Sequence, residues 1–324
     1  MNGQGSTGVS PVTHGRDAHA TPAFTSASGV LCIALTALCC WVSGVSAAAA
    51  SGQTAEPGKD FVYKQSAGVP QHVEVYFPPE WKPAGPKVPG VLLFHGGGWV
   101  GGDLSQFRPF CAYLASRGLV AATANYRMLP KGEVTKQADG GDLRKRVCVT
   151  EAKSAIRWMK QHADELGIDP QRLIVGGGSA GGHISVLATT NPGLDDPDDP
   201  KAYDTTVAAY LLFNPAFTAQ DRRDPEVDVL KHLTTSFPPA ILFFGTKDTW
   251  KSGSDAVLKR LKALGNSTAE MWIAEGQIHG FYREQPWRDL TLIAADRFLV
   301  EHGFLKGVCT LTLPADGTKL IKVP

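Results

Sequence analysis

The stretch LIVGGGSAG, at residues 173–181, contains the pattern that decides the fold. Its apolar start predicts a buried strand, and the residues after Ser179, up to about Thr190, have the apolar spacing of a helix. A chain that turns so sharply from strand to helix needs residues without a bulky side chain two positions before and after the serine. Gly177 and Gly181 meet this requirement, so the stretch predicts a nucleophile elbow that exposes the Ser179 hydroxyl.

A second glycine-rich loop follows another predicted strand, where the apolar run VLLF ends in HGGGW at residues 95–99. Such a loop frees backbone N–H groups, and each donor about 3 Å from a developing oxyanion stabilises the transition state of acyl transfer by roughly 3–4 kcal/mol. We expect the donors to be Gly97, Gly98 and Ala180, the residue after the serine. We expect His95 to brace the loop by hydrogen bonds rather than to take part in the chemistry.

With these two loops the chain resembles the α/β-hydrolase family, and within it the esterases that carry a His-Gly-Gly-Gly loop and a Gly-x-Ser-Ala-Gly-Gly elbow. That family orders its triad as serine, acid and histidine, which implies that the acid and the base follow Ser179. Asp248 comes just after the apolar run at residues 240–244, at the carboxyl edge of a predicted parallel sheet, where active sites form. His279 follows a further apolar stretch and a loop, in a His-Gly-Phe sequence similar to the family's ending.

The predicted mechanism gives each of these groups a separate task. A serine hydroxyl is a poor nucleophile until a base takes its proton, and His279 would be that base. Asp248 would hold the imidazole in the correct tautomer and stabilise the imidazolium. Competing assignments are Asp255, which falls on a helical pattern, and His183 and His302, which lie in or near predicted helices. Their placement favours surface or supporting positions, whereas Asp248 and His279 each follow a strand.

The composition is that of an ordinary globular chain with a sizeable core. The 324 residues are 43% hydrophobic and carry a formal net charge of +1. Nucleic-acid binding needs a strong basic patch, and the longest basic run, Arg144-Lys145-Arg146, is more typical of a solvated loop or helix edge. No His and Cys spacing resembles a zinc site, and the predicted chemistry requires neither a metal nor a cofactor.

Residues 1–50 differ from the rest of the chain. A polar leader precedes an apolar run at residues 30–45 and then an alanine tract. This order resembles an export signal with a cleavage pattern at Val45-Ser46-Ala47, and it predicts a periplasmic or extracellular protein without a membrane span after cleavage. An uncleaved N-terminal membrane anchor is the alternative, because the apolar run approaches the roughly twenty residues of a spanning helix.

Cleavage of this leader would leave three cysteines, Cys111, Cys148 and Cys309. An odd number leaves at least one free thiol or an intermolecular bridge. A disulfide between Cys111 and Cys148 is compatible with an oxidising compartment, although the sequence does not give the distance between them.

One doubly wound α/β domain is predicted for residues 51–306, with a mostly parallel sheet flanked by helices. An antiparallel strand near residues 72–77 would open it, and further strands begin near residues 91, 119, 173, 207, 240 and 271. Helices are expected at residues 107–116, 149–165, 180–190, 252–264 and 286–302. Residues 307–324 would form a small hairpin or a loose tail.

Substrate preference is inferred from the bulk near the predicted site. Large aromatic side chains follow the catalytic loops and either narrow the pocket or pack in the core: Trp99, Phe217, Trp250 and Tyr282. The segment at residues 218–237 is short and polar, so no large lid of the lipase type is expected. These features are similar to those of secreted acetylxylan and feruloyl esterases, which implies short acyl esters of a carbohydrate or a small alcohol as substrates.

Other functions stay open at this point. Formamidases and prolyl-type serine peptidases share parts of the pattern, although such peptidases usually carry an additional propeller domain. A catalytically silent α/β-hydrolase that binds a ligand or a partner is a contrasting class, and the intact set of Ser179, Asp248 and His279 argues against it. The sequence does not define the natural substrate or the oligomeric state.

Overall fold

The computed structural model describes residues 56–130, 132 and 137–323. Within these ranges the strands are β1 (Lys59–Ser66), β2 (Val69–Tyr76), β3 (Val88–Phe94), β4 (Val120–Ala124), β5 (Ile168–Gly178), β6 (Ala209–Phe213), β7 (Ala240–Gly245), β8 (Ala269–Ala274) and β9 (Ile321–Lys322). They form one sheet in the order β1-β2-β4-β3-β5-β6-β7-β8-β9. Strands β3 to β8 are parallel, and the outer strands pair antiparallel at either end. The mostly parallel sheet predicted from the sequence is confirmed.

The α-helices of the described ranges are α1 (Arg108–Ser116), α2 (Leu143–Gln161), α3 (Ala163–Leu166), α4 (Ala180–Thr190), α5 (Val229–His232), α6 (Lys251–Ala263) and α7 (Trp287–Glu301). Because side chains alternate along a strand, the apolar residues of the sheet form two core clusters, one on each face. Helices α2, α4 and α6 cover one cluster, and α1 and α7 cover the other. This layering is the predicted α/β architecture.

Strand β1 was not predicted from the sequence, and α2 begins six residues before its predicted start at residue 149. Strand β1 lies at the sheet edge and has many exposed polar residues, so it lacks the apolar run of a buried strand. Helix α2 begins at Leu143 because the Asp142 carboxylate caps it, accepting a hydrogen bond from the Lys145 N–H at 3.2 Å. The basic run at residues 144–146 therefore lies in the first turn of α2. Its predicted solvation is wrong for Lys145, which is 8% exposed and pairs with Asp221.

The cysteines of the described ranges all carry free thiols. Cys111 lies in the core on the α1 side of the sheet, whereas Cys148 lies in the core on the α2 side. The sheet separates the two side chains, so the disulfide that the sequence left open does not form. Burial raises the pKa of the Cys111 thiol, which keeps it protonated at neutral pH.

The structure describes the C-terminal segment of the chain but not residues 1–50. The export signal or membrane anchor predicted for residues 1–50 lies outside the described residues. Among the helices that are described, none combines the length and apolar character required to cross a membrane. The closing segment, predicted as a small hairpin or a tail, contributes β9, in which Ile321 pairs with Ile273 at the edge of the sheet.

A buried carboxylate joins the two helices that share one face of the sheet. Asp296 of α7 is 1% exposed and accepts a hydrogen bond from Arg117, just after α1, with Nε and Oδ2 2.5 Å apart. The Tyr113 hydroxyl donates to the same oxygen at 2.8 Å. The hydrogen bond with Asp296 raises the pKa of Arg117 further, so the guanidinium stays protonated throughout the ordinary pH range. This contact fixes α1 against α7.

We expect Arg117→Ala to lower the free energy of unfolding by about 3 kcal/mol, because it leaves the buried Asp296 carboxylate with Tyr113 as its side-chain partner. The control is Lys251→Ala, which breaks an ion pair with Asp255 on the surface of α6, worth about 0.5 kcal/mol at most. Urea unfolding followed by tryptophan fluorescence measures both. Equal losses of stability for the two variants would contradict the role given to Asp296.

Candidate active site

Ser179 lies at the turn between β5 and α4. Its backbone has φ +52° and ψ −115°, a conformation that residues other than glycine rarely adopt. Glycine makes the turn feasible, since a Cβ on Gly177 would lie 2.2 Å from the carbonyl oxygen of Phe94 and one on Gly181 would lie 2.0 Å from it. The strand, the helix and the neighbouring β3 can therefore meet at Ser179 only with glycine at both positions.

The structure brings the three predicted catalytic side chains into one hydrogen-bonded chain. Ser179 Oγ lies 2.8 Å from His279 Nε2, and His279 Nδ1 lies 2.9 Å from Asp248 Oδ2. Asp248 follows β7 and His279 lies in the loop after β8, so both side chains reach the edge of the sheet at which Ser179 follows β5. When Nδ1–H is donated to the carboxylate, Nε2 is free to accept the proton of the Ser179 hydroxyl.

The Asp248 carboxylate is fully buried but accepts hydrogen bonds on both oxygens. Oδ2 accepts from His279 and also from the Asn214 amide, with Nδ2 at 2.9 Å. Oδ1 accepts from the backbone N–H of Trp250 at 2.9 Å. These donors compensate the loss of water around the buried carboxylate and fix its plane.

Asn214 was not predicted from the sequence as part of this site. The residue directly follows β6, just as Asp248 follows β7 at the same edge of the sheet. A polar side chain immediately after the apolar run AYLLF was therefore a usable signal. Its contact with Asp248 could not be read from sequence, since it depends on how two loops fold.

The competing residues lie elsewhere. Asp255 pairs with a neighbouring lysine on the surface of α6. His183 is buried on α4, where its Nε2 lies 3.0 Å from the carbonyl oxygen of Val227. His302 is exposed at the end of α7. The histidine that is hydrogen-bonded to both Ser179 and Asp248 is therefore His279, which was predicted from its position after a strand.

The glycine-rich loop after β3 lies against Ser179. A Cβ on Gly96 would lie 3.1 Å from the Cβ of Ser179. Gly97 and Gly98 have φ values of +134° and +63°, which glycine adopts without the steric strain of other residues. Ala180 begins α4, so its N–H lies at the positive end of that helix. The predicted oxyanion donors thus border Ser179 from two sides.

His95 is buried and braces this loop. Its Nδ1 lies 2.8 Å from the carbonyl oxygen of Gly96, to which it donates, and its ring stacks on Tyr126 with the centroids 4.5 Å apart. The Tyr126 hydroxyl donates to the carbonyl oxygen of His95 at 2.8 Å. Burial lowers the pKa of His95, so the ring is neutral at neutral pH. These contacts are those of the bracing residue predicted from the sequence.

The four aromatic residues predicted to contact substrate differ in exposure. Trp250 is half-buried, and its ring centroid lies 6.2 Å from that of His279. The ring centroids of Trp99 and Trp250 lie 6.4 Å apart. Trp99, Phe217 and Tyr282 are almost fully buried. Trp250 is therefore the member of this group with the most free surface beside the triad. The other three pack mainly against protein.

A buried group of charges supports Trp99. The Lys145 ammonium lies 4.2 Å from the centroid of the Trp99 ring and pairs with Asp221, which also faces His183 Nε2 at 3.4 Å. Burial raises the pKa of Asp221, but its hydrogen bonds with His183 and Lys145 and the positive charge of Lys145 outweigh burial and bring that pKa below its usual value. The segment at residues 218–237 is thereby fixed to α2 and α4, and no large lid is formed from it.

Comparisons of sequence relate the chain to known esterases. The BD-FAE family profile matches residues 73–211. Esterase LipC of Mycobacterium tuberculosis is 27% identical over 224 residues, which cover 60% of this chain and 53% of the relative. The chain spans from 30% to 53% of the length of the first curated relatives that it matches.

Solved structures match over a larger part of the chain. Thermogutta terrifontis esterase 2 phosphorylated by paraoxon is 36% identical, with a TM-score of 0.70, and the match covers 78% of this chain and 96% of that one. A propionate-bound structure of the thermophilic esterase from the same organism is 35% identical, with a TM-score of 0.69, and covers 78% and 97%. Similarity of this degree over nearly the whole relative establishes common ancestry as well as a common fold. The chain therefore belongs to the serine esterases of the α/β-hydrolase family, a family of carboxylic ester hydrolases.

Proposed function

We propose that this protein hydrolyses carboxylic esters through an acyl-enzyme on Ser179. The observation that carries the proposal is the continuous line of hydrogen bonds from Ser179 through His279 to Asp248. His279 takes the hydroxyl proton as Ser179 attacks the ester carbonyl, and it then gives this proton to the departing alcohol. Water attacks the acyl-enzyme by the same proton transfers, which releases the carboxylic acid and restores the serine.

Each tetrahedral intermediate places negative charge on the former carbonyl oxygen. We assign its stabilisation to the N–H groups of Gly97, Gly98 and Ala180, because the first two belong to the loop that abuts Ser179 and the third begins α4. Such donors contribute about 3–4 kcal/mol each in the transition state when they are fixed beforehand. His95 provides that fixation through its hydrogen bond to the loop.

For the substrate we propose short acyl esters of a carbohydrate or another small alcohol. The Trp250 ring centroid lies 6.2 Å from that of His279, and Trp99 packs against Trp250, so this aromatic bulk beside the base favours a small acyl group. The segment at residues 218–237 is fixed by buried ion pairs and so does not offer the mobile apolar lid on which long-chain lipases depend. The solved relative that binds propionate supports the same range of acyl length.

Export is part of this proposal. The apolar run at residues 30–45 and the alanine tract after it favour a cleaved signal, with an N-terminal anchor as the alternative. Either form would place the hydrolase domain outside the cytoplasm, where polymeric carbohydrate esters are accessible.

We expect Ser179→Ala to lower the turnover of p-nitrophenyl acetate by at least about 1,000-fold, because the acyl group then has no nucleophile to accept it. The matched control is Ser185→Ala, which removes another buried hydroxyl of α4, one that donates to the carbonyl oxygen of Gly182. The control should keep its turnover within about twofold. Release of p-nitrophenolate measures both, and wild-type turnover by Ser179→Ala would rule out the mechanism.

We expect kcat/KM for p-nitrophenyl esters to be highest for acetate or propionate and about tenfold lower or more for octanoate, because the aromatic side chains limit acyl length. The series is measured with wild-type protein and with Ser179→Ala as the blank. A maximum at octanoate or beyond would contradict the proposed acyl length. Faster hydrolysis of a formamide than of any ester would instead indicate a formamidase.

A further inference from the structure

Asn214 lies where the loops of the active site meet. Its preceding neighbour, Phe213, accepts a hydrogen bond from the Ser179 N–H at 2.9 Å. On the other side of Asn214, the N–H of Ala216 donates to the carbonyl oxygen of Ser179, also at 2.9 Å. The backbone on both sides of Asn214 is therefore attached to the nucleophile elbow.

The side-chain amide of Asn214 connects the other two loops. Its Nδ2 donates to Asp248 Oδ2 at 2.9 Å, and its Oδ1 accepts from the N–H of Gly280, the residue after His279, at 3.2 Å. The second hydrogen on Nδ2 faces the carbonyl oxygen of Phe243 at 3.3 Å. One buried amide thus contacts the acid itself and the backbone that carries the base.

The contacts also fix which way the Asn214 amide points. A half-turn of the amide would set its oxygen against the Asp248 carboxylate and its NH₂ group against the Gly280 N–H. Both contacts would be repulsive, and the buried position offers no water to relieve them. Only one orientation satisfies every polar atom of the side chain.

The backbone of Asn214 adds a second requirement. Its φ of +49° lies in the left-handed region, which asparagine tolerates better than most residues that carry a side chain. In this conformation its N–H donates to the carbonyl oxygen of Phe243 at 3.0 Å, so the residue is also attached to β7. The position therefore selects an amide side chain and a left-handed backbone together.

We propose that Asn214 is a positioning residue that sets the acid and the base of the triad relative to each other. The inference rests on the proposed ester hydrolysis. Asn214 acts through Asp248 and through the backbone at Gly280, and its amide is not hydrogen-bonded to Ser179 Oγ or to the His279 ring. Without it the Asp248 carboxylate and the Gly280 N–H lose the one side chain that contacts both of them. A displacement of about 1 Å in such a group lowers the rate about 100-fold.

Asn214→Ala tests this inference by removing both amide contacts. We expect kcat for p-nitrophenyl acetate to fall by about 30- to 300-fold, with KM within about threefold of wild type, because alignment is lost and the substrate walls are kept. The matched control is Asn191→Ala at the opposite end of α4. Asn191 is also buried and joins two segments, donating to the Glu226 carbonyl oxygen at 2.7 Å and accepting from the Gly193 N–H at 2.6 Å. Asn191→Ala should lower the melting temperature by about as much as Asn214→Ala does and leave kcat unchanged.

Asn214→Asp separates alignment from packing, because it has almost the same shape. It keeps an acceptor for Gly280 but sets a second carboxylate beside Asp248. We expect a lower kcat and a shift of the acid limb of the kcat/KM profile to higher pH by up to about one unit, since the added negative charge stabilises protonated His279. The shift of the profile reports the charge placed near His279, and the fall in kcat at the pH optimum reports the loss of alignment.

The two variants and Ser179→Ala together distinguish the outcomes. If Asn214→Ala is destabilised like Asn191→Ala but keeps wild-type kcat, Asn214 has no positioning role. If Asn214→Ala does not fold, an unshifted pH profile and wild-type kcat for Asn214→Asp overturn the inference in the same way. Esterase activity that persists in Ser179→Ala contradicts the proposed function, whereas Ser179-dependent activity with unaffected Asn214 variants contradicts only this inference.

Discussion

The close approach of β3, β5 and α4 around Ser179 is the contact on which the site depends. The carbonyl oxygen of Phe94 leaves no room for a Cβ at Gly177 or Gly181, and at Gly176 a Cβ would lie 1.9 Å from the carbonyl oxygen of Leu211. Glycine lets three backbones converge, and the turn that results holds Ser179 in a left-handed conformation at the sheet edge. Backbone packing alone thus places Ser179 at the edge of the sheet.

The parallel sheet then supplies the remaining groups from one edge. Asn214, Asp248 and His279 follow successive strands from β6 to β8, so their side chains converge on the end of β5. Burial of the Asp248 carboxylate is compensated by donors from three different loop positions, which makes its orientation a property of the whole sheet edge. A rigid site of this kind suits a mechanism in which protons move over short fixed distances.

The buried ion pairs near Trp99 stabilise the structure rather than attract ligands. Asp221 and Asp224 come from the segment at residues 218–237 and pair with Lys145 and Arg146 of α2. These contacts secure the segment where other hydrolases carry a mobile lid. They also place a cation on the face of Trp99, next to the glycine-rich loop at residues 95–98.

The sequence predicted the strands of the sheet interior because they are buried on both faces and appear as short apolar runs before glycine or polar loops. It also predicted a site of Ser179, Asp248 and His279, which the structure joins by hydrogen bonds, since local motifs and position after a strand are encoded in neighbouring residues. It missed β1, whose exposed edge lacks an apolar run. Contacts between segments that are distant along the chain could not be predicted from the sequence either.

Those distant contacts explain the errors of detail. Lys145 looked like part of a solvated basic run because its partner, Asp221, lies 76 residues away along the chain. The disulfide between Cys111 and Cys148 looked feasible because the sequence does not show that the sheet lies between them. The position of Asn214 directly after a strand was visible in the sequence, but its contacts with Asp248 and Gly280 exist only once the loops after β7 and β8 are folded around it.

Trapping the covalent intermediate is the most direct test of the proposed chemistry. The protein is mixed with p-nitrophenyl acetate, quenched in acid within the first turnover, and digested for peptide mass spectrometry. We expect an acetyl group on the peptide that contains Ser179, formed at the rate of the first release of p-nitrophenolate and absent from Ser179→Ala. Full turnover with no acetylated Ser179, or with the acetyl group on another residue, would contradict an acyl-enzyme at this elbow.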